Sequence, residues 1–88
     1  MRRQDQVRDD SRMSDAATLL ESVAAGALSA EDAILKWPFP DKECIGLVGL
    51  ALHHLHHFMA DDDIRERDAS YGERQRRELL EYAARLRP

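Results

Sequence analysis

Four histidines in five positions, His53-His54-Leu55-His56-His57, are the residues of this chain best equipped for chemistry. Neutral imidazole is a common ligand for zinc, copper and iron, and its charge changes near neutrality. On a helix, however, His54 and His56 fall at opposite edges of the apolar arc, about 160° apart at 100° per residue, and cannot share an ion. His53 and His57 lie one turn apart and form the single chelating pair, with Asp61 one further turn along as a third donor. Two ligands do not complete a zinc site, and Cys44 sits in the apolar arc, away from them. Metal is therefore the last of three readings, with His53, His57 and Asp61 as its candidates, and no cofactor is expected.

Other chemistry is not spelled out. The chain has no Gly-rich phosphate loop, no G-x-S-x-G elbow and no H-E-x-x-H pair. Asp61-x-Asp63 opens like a calcium loop, but Arg65 and Glu66 occupy places that need an oxygen donor and glycine. The lone Cys44 excludes an internal disulfide and, predicted buried, is inert. The expectation is a protein without enzymatic activity.

Charge narrows the partners. The net charge is −4, and residues 41–70 alone hold seven acidic against three basic groups, whereas residues 71–88 hold three against five. An acidic chain is a poor match for nucleic acid, which needs a basic footprint. The acidic excess peaks at Asp61-Asp62-Asp63, and with Glu66 and Asp68 this turn is the candidate surface for a basic partner protein. No apolar run approaches the roughly 20 residues that span a bilayer, so no membrane contact is expected. Nothing resembling a cleaved signal follows Met1-Arg2-Arg3, and a cytoplasmic location is expected.

The elements that must position these residues are all helical. Only three Val and one Thr occur among 88 residues, and no segment alternates as a strand does. Residues 1–13, with Val7 and Met13 their only apolar anchors, read as a mobile charged arm, leaving 14–88 as one helical-bundle domain. Ser14 caps a first helix faced by Leu19, Leu20, Val23 and Ala24, and Gly26 stops it. Ser29 caps a second helix with Glu31 and Asp32 in its first turn; it ends by Trp37, because Pro38 and Pro40 forbid continuation. The Trp37-Pro38-Phe39-Pro40 corner is rigid and plugs one end of the core.

Asp41 caps a third helix over 42–60, whose arc of Leu47, Phe58, Ala51, Cys44, Leu55, Val48, Met59, Leu52 and Ile45 is wide enough to face several neighbours. A turn with Ile64 follows, then a fourth helix over 70–86, capped by Ser70 or Asp68, with Tyr71, Gln75, Leu79, Tyr82, Ala83 and Leu86 inward. The expected fold is all-α, a compact bundle of four helices with the third at the centre. Gly46 and Gly49 on the back of that helix each cost roughly 1 kcal/mol against alanine, which asks for a close backbone approach. That approach comes from the same chain or, across a twofold axis, from a second copy along Gly46, Gly49, Leu50, His53 and His57. Monomer and homodimer both remain open.

The stretch Leu19-Leu20-Glu21-Ser22-Val23-Ala24-Ala25-Gly26-Ala27-Leu28-Ser29-Ala30-Glu31-Asp32-Ala33 resembles the opening of small bacterial toxin-immunity proteins of the colicin D type. These have an apolar helix, then a Gly-x-(Ile/Leu)-Ser-Ala-Glu-(Asp/Glu) turn into a second helix. The resemblance implies an acidic monomeric four-helix bundle that occludes the basic active site of a nuclease toxin. The His cluster and the Trp37–Pro40 corner depart from that pattern. The three readings, in order, are a toxin-blocking immunity protein, a homodimeric regulatory or scaffold protein, and a metal-binding module.

Overall fold

A computed structural model describes residues 2–88, with side chains from Asp9 onward. Five α-helices follow in order: α1 (Arg2–Ala24), α2 (Ala30–Leu35), α3 (Gly46–Ala60), α4 (Asp62–Arg67) and α5 (Ala69–Leu86), with a 3-10 turn at Asp41–Glu43 between α2 and α3. No strand occurs among the described residues. The fold is all-α, with one helix more than the sequence reading expected.

The core is small side chains keyed between larger ones. Ala16, Ala17, Leu20 and Val23 of α1 meet Leu79, Ala83 and Leu86 of α5, and Val48, Ala51, Leu55 and Phe58 come from α3. Leu20, Leu55, Leu79 and Leu86 are the largest fully buried side chains, and each contributes about 1.5–3 kcal/mol through burial. Alanine at three of the buried positions lets the α1 and α5 backbones lie close, and these two helices form the most extensive contact. The third helix packs on α2, α5 and α4. Two members of its expected arc lie outside it: Cys44 closes the 3-10 turn and Ile45 is the N-cap.

The first helix begins well before its expected cap. Helix α1 starts at Arg2, and Ser14 is interior to it, its carbonyl accepting from the Thr18 hydroxyl at 3.0 Å. Periodicity missed this segment because it is polar on every side. It is held by ion pairs instead: Arg12 contacts Asp9 one turn back and Glu43 of the 3-10 turn at 3.2 Å. Met1 and the side chains of residues 2–8, Val7 among them, lie outside the described residues.

Punctuation elsewhere follows the sequence. Gly26 takes φ +78° to end the first helical hairpin arm. The Ser29 hydroxyl accepts from the Asp32 N–H at 3.1 Å, and Asp68, rather than Ser70, caps α5 through the Tyr71 N–H at 3.1 Å. Trp37 and Phe39 are half-buried against the core with ring centroids 6.5 Å apart. Asp41 caps no long helix; it begins the 3-10 turn, and Pro40 precedes it.

Candidate functional site

The α4 corner is built around one arginine. Arg65 turns inward from α4, its side chain only 9% exposed. Its guanidinium lies over the Phe58 ring, 3.5 Å from the centroid, and donates to the Phe58 carbonyl and, at 2.8 Å, to Gln75 Oε1. The last turn of α3 thus loses an unpaired carbonyl, and α4 is pinned to both neighbours. Gly72 of α5 lies against this side chain: a Cβ there would stand 3.6 Å from Arg65 Cγ, an ordinary contact.

With Arg65 turned in, the acidic residues separate by role. Asp61 is half-buried and faces the core side of the corner, accepting from the Tyr71 hydroxyl at 2.5 Å and from Gln75 Nε2 at 3.0 Å. That bond holds the Tyr71 proton and, with desolvation second, raises the phenol above its ordinary value near 10. Asp68 is committed to its cap. Asp62 pairs loosely with Arg65 at 3.3 Å but is 71% exposed, and Asp63 and Glu66 are exposed as well. Of the five carboxylates expected to form a partner surface, three are free to do so and two are structural.

His53, His54 and His57 line a neighbouring hollow of 480 Å³, together with Asp61, Tyr71, Arg74, Gln75 and Glu78. His53 and His57 are exposed, with Nε2 atoms 2.9 Å apart and ring planes at 74°. His54 packs on Tyr82 with ring centroids 4.7 Å apart and planes tilted by 46°, its Nδ1 3.5 Å from Glu78 Oε2. This places Glu78 toward α3 instead of on the outer face of α5. His56 is exposed. Among the described residues no group of three or more His, Cys, Asp or Glu is placed to hold a metal ion, Asp61 with the His pair included; Asp61 turns Oδ2 toward α5.

The two helix glycines have local reasons. Gly46 takes φ +57°, and a Cβ on Gly49 would stand 2.6 Å from the Cys44 carbonyl oxygen. The close backbone approach is that of the chain's own preceding turn, so the glycines do not call for a second copy. Leu50 is 53% exposed, in line with His53 and His57. The Cys44 thiol is half-buried and donates to the Pro40 carbonyl at 3.4 Å; burial, then the Asp41 carboxylate, push it up and away from reactivity.

Sequence reasoning missed Arg65, Gln75 and Glu78 as the residues that organise the corner. A signal existed for the first: Arg65 stands one turn after Asp61 and Asp62 and opposite the apolar Phe58 in the i, i+7 row. No protein-family model, curated protein or solved structure matches this chain. No described helix is long and apolar enough to cross a membrane.

Proposed function

We propose that this chain is a non-enzymatic protein-binding module, in its specific form an immunity-type inhibitor that blocks a bacterial toxin through a basic surface. The observation that carries the reading is the α4 corner: Asp62, Asp63 and Glu66 project from a six-residue helix that Arg65 locks to the body of the fold. Carboxylates on a fixed helix lose little freedom on docking, and an acidic face speeds encounter with a basic one. The Gly26–Asp32 hairpin turn, which carries the resemblance to immunity proteins, supports the specific form by its cap and its left-handed glycine.

The test begins with affinity capture from the native host at low salt and identification of the partner. Association rates are then measured for the native chain and for a triple variant, Asp62→Lys, Asp63→Lys and Glu66→Lys. The reading expects a basic partner whose association slows by about tenfold or more in the variant and loses its salt dependence. Equal rates and equal salt slopes for both proteins would remove the acidic corner from the interface.

A second reading keeps one observation in its favour, the exposed Leu50 one turn before His53 and two before His57. It is a homodimeric regulatory or scaffold protein joined along α3. Sedimentation of the native chain and of Leu50→Glu at high micromolar concentration decides it: a dimer abolished by the charge supports it, and a native monomer excludes it.

A further inference from the structure

We propose that His53 and His57 form a two-imidazole chelate for a late first-row divalent cation, with copper(II) held first and nickel(II) next, on the solvent side of α3. The site is separate from the α4 surface and stands or falls without it.

The argument starts from one distance. The two Nε2 atoms are 2.9 Å apart, an ordinary hydrogen-bond separation. Without an ion, one nitrogen donates and the other accepts. A cation can replace that shared proton. Metal–imidazole bonds of about 2.0–2.1 Å at a right angle set the two nitrogens about 2.9 Å apart, whereas a tetrahedral angle needs about 3.3–3.4 Å. The pair already stands at the spacing of cis positions on a tetragonal ion, the geometry of copper(II) and nickel(II), whereas tetrahedral zinc needs the rings to part by a few tenths of an ångström. The order of intrinsic affinity among divalent ions points the same way.

The surroundings fit a cation and limit it to two protein ligands. Both rings are exposed, so each can swing about its broad χ2 torsion to aim its lone pair at a common ion. Asp61 and Glu78 line the same hollow against the single cation of Arg74, which leaves the local field negative. No third His, Cys, Asp or Glu among the described residues is placed to join the pair: Asp61 turns Oδ2 to Tyr71 and Gln75, and Glu78 faces His54. Water or a donor from another molecule completes the coordination sphere. His56, exposed on another side of the helix, takes no part.

The experiment titrates copper(II), nickel(II) and zinc(II) chlorides separately into the full, tag-free chain, following heat for all three and the visible and electron paramagnetic resonance spectra for copper. One copper per chain is expected, bound more tightly than nickel and nickel more tightly than zinc, with a spectrum showing two nitrogen ligands. His53→Ala and His57→Ala should each lower copper affinity by about tenfold or more, while His56→Ala changes it less than about twofold. Because all three side chains are exposed, circular dichroism should show the variants folded. The proposal is overturned if copper uptake survives both single variants, if His56→Ala weakens it equally, or if zinc binds more tightly than copper. A two-nitrogen copper spectrum that persists in the His53→Ala, His57→Ala double variant would place the ion elsewhere and overturn it too.

Discussion

Arg65 and Phe58 are joined twice, ring to guanidinium at 3.5 Å and N–H to backbone carbonyl, across the junction of α3 and α4. A cation stacked on an aromatic face in a desolvated setting contributes about 2 kcal/mol, and the bond to the carbonyl satisfies a group that α3 leaves without a partner. Replacing Arg65 by Ala should lower stability by about 2–3 kcal/mol. Arg65→Lys should recover less than half of this, since an ammonium cannot stack and donate to both Phe58 and Gln75. Urea unfolding of the two variants reads the difference, and equal midpoints for Lys and Arg would show that charge alone holds the corner.

Glycines of α3 and α5 should respond oppositely to alanine. At Gly49 the new Cβ meets the backbone oxygen and carbon of Cys44 at 2.6 and 3.0 Å, which cannot move aside as a side chain does. The overlap costs about 1–3 kcal/mol and outweighs the gain of about 1 kcal/mol in helix propensity. At Gly72 the nearest atom is the tip of Arg76 at 3.1 Å, which swings away, so Gly72→Ala should be neutral or stabilising by up to about 1 kcal/mol. Thermal melting of both variants checks the contrast, and a stabilised Gly49→Ala would remove the close-approach account.

Much of this was legible in the sequence wherever one residue type settles a local geometry. Gly26, Ser29 and the two prolines fix the hairpin and its exit, and the inward row of α5 from Tyr71 to Leu86 follows from its period. The functional corner was less legible, because Asp61, Asp62 and Asp63 are identical in type and differ only in which way the chain turns them. Helix α4 turns Asp61 toward Tyr71 and leaves Asp63 in solvent, and a run of like residues carries no sign of that. The segment preceding Ser14 was hidden for a related reason. Its helix is sustained by charges such as Asp9 and Arg12 and by a tether to Glu43, far away in sequence.

Tyr71 should titrate above the ordinary tyrosine value near 10, because its hydroxyl donates to Asp61. A raised value in the folded state means that the bond's contribution is whole below about pH 10, where phenol is protonated in both states. It is then lost as pH rises through the folded value. Ultraviolet titration of tyrosinate should show that the ionisation missing in Tyr71→Phe is the one lying above about pH 10. Stability of the variant should approach that of the native chain only under alkaline conditions. An ionisation at or below the ordinary value would separate Tyr71 from Asp61.

The last contrast divides the acidic run by role. Asp61 accepts two hydrogen bonds from α5 and is half-buried, whereas Asp63 is exposed and has no side-chain hydrogen-bond partner among the described residues. A charged acceptor contributes about 1.5–3 kcal/mol per hydrogen bond. Both bonds end on Oδ2, so an amide of equal shape can keep its oxygen there but accepts more weakly without the charge. Asp61→Asn should therefore cost about 1–2 kcal/mol and leave partner association rates unchanged once the folded fraction is allowed for. Asp63→Asn should alter stability by less than about 0.5 kcal/mol, yet slow association with a basic partner, most at low salt. Chemical unfolding paired with stopped-flow binding reads both axes at once. If Asp61→Asn leaves stability intact while slowing association, the turn presents all three carboxylates outward, and the structural part assigned to Asp61 is wrong.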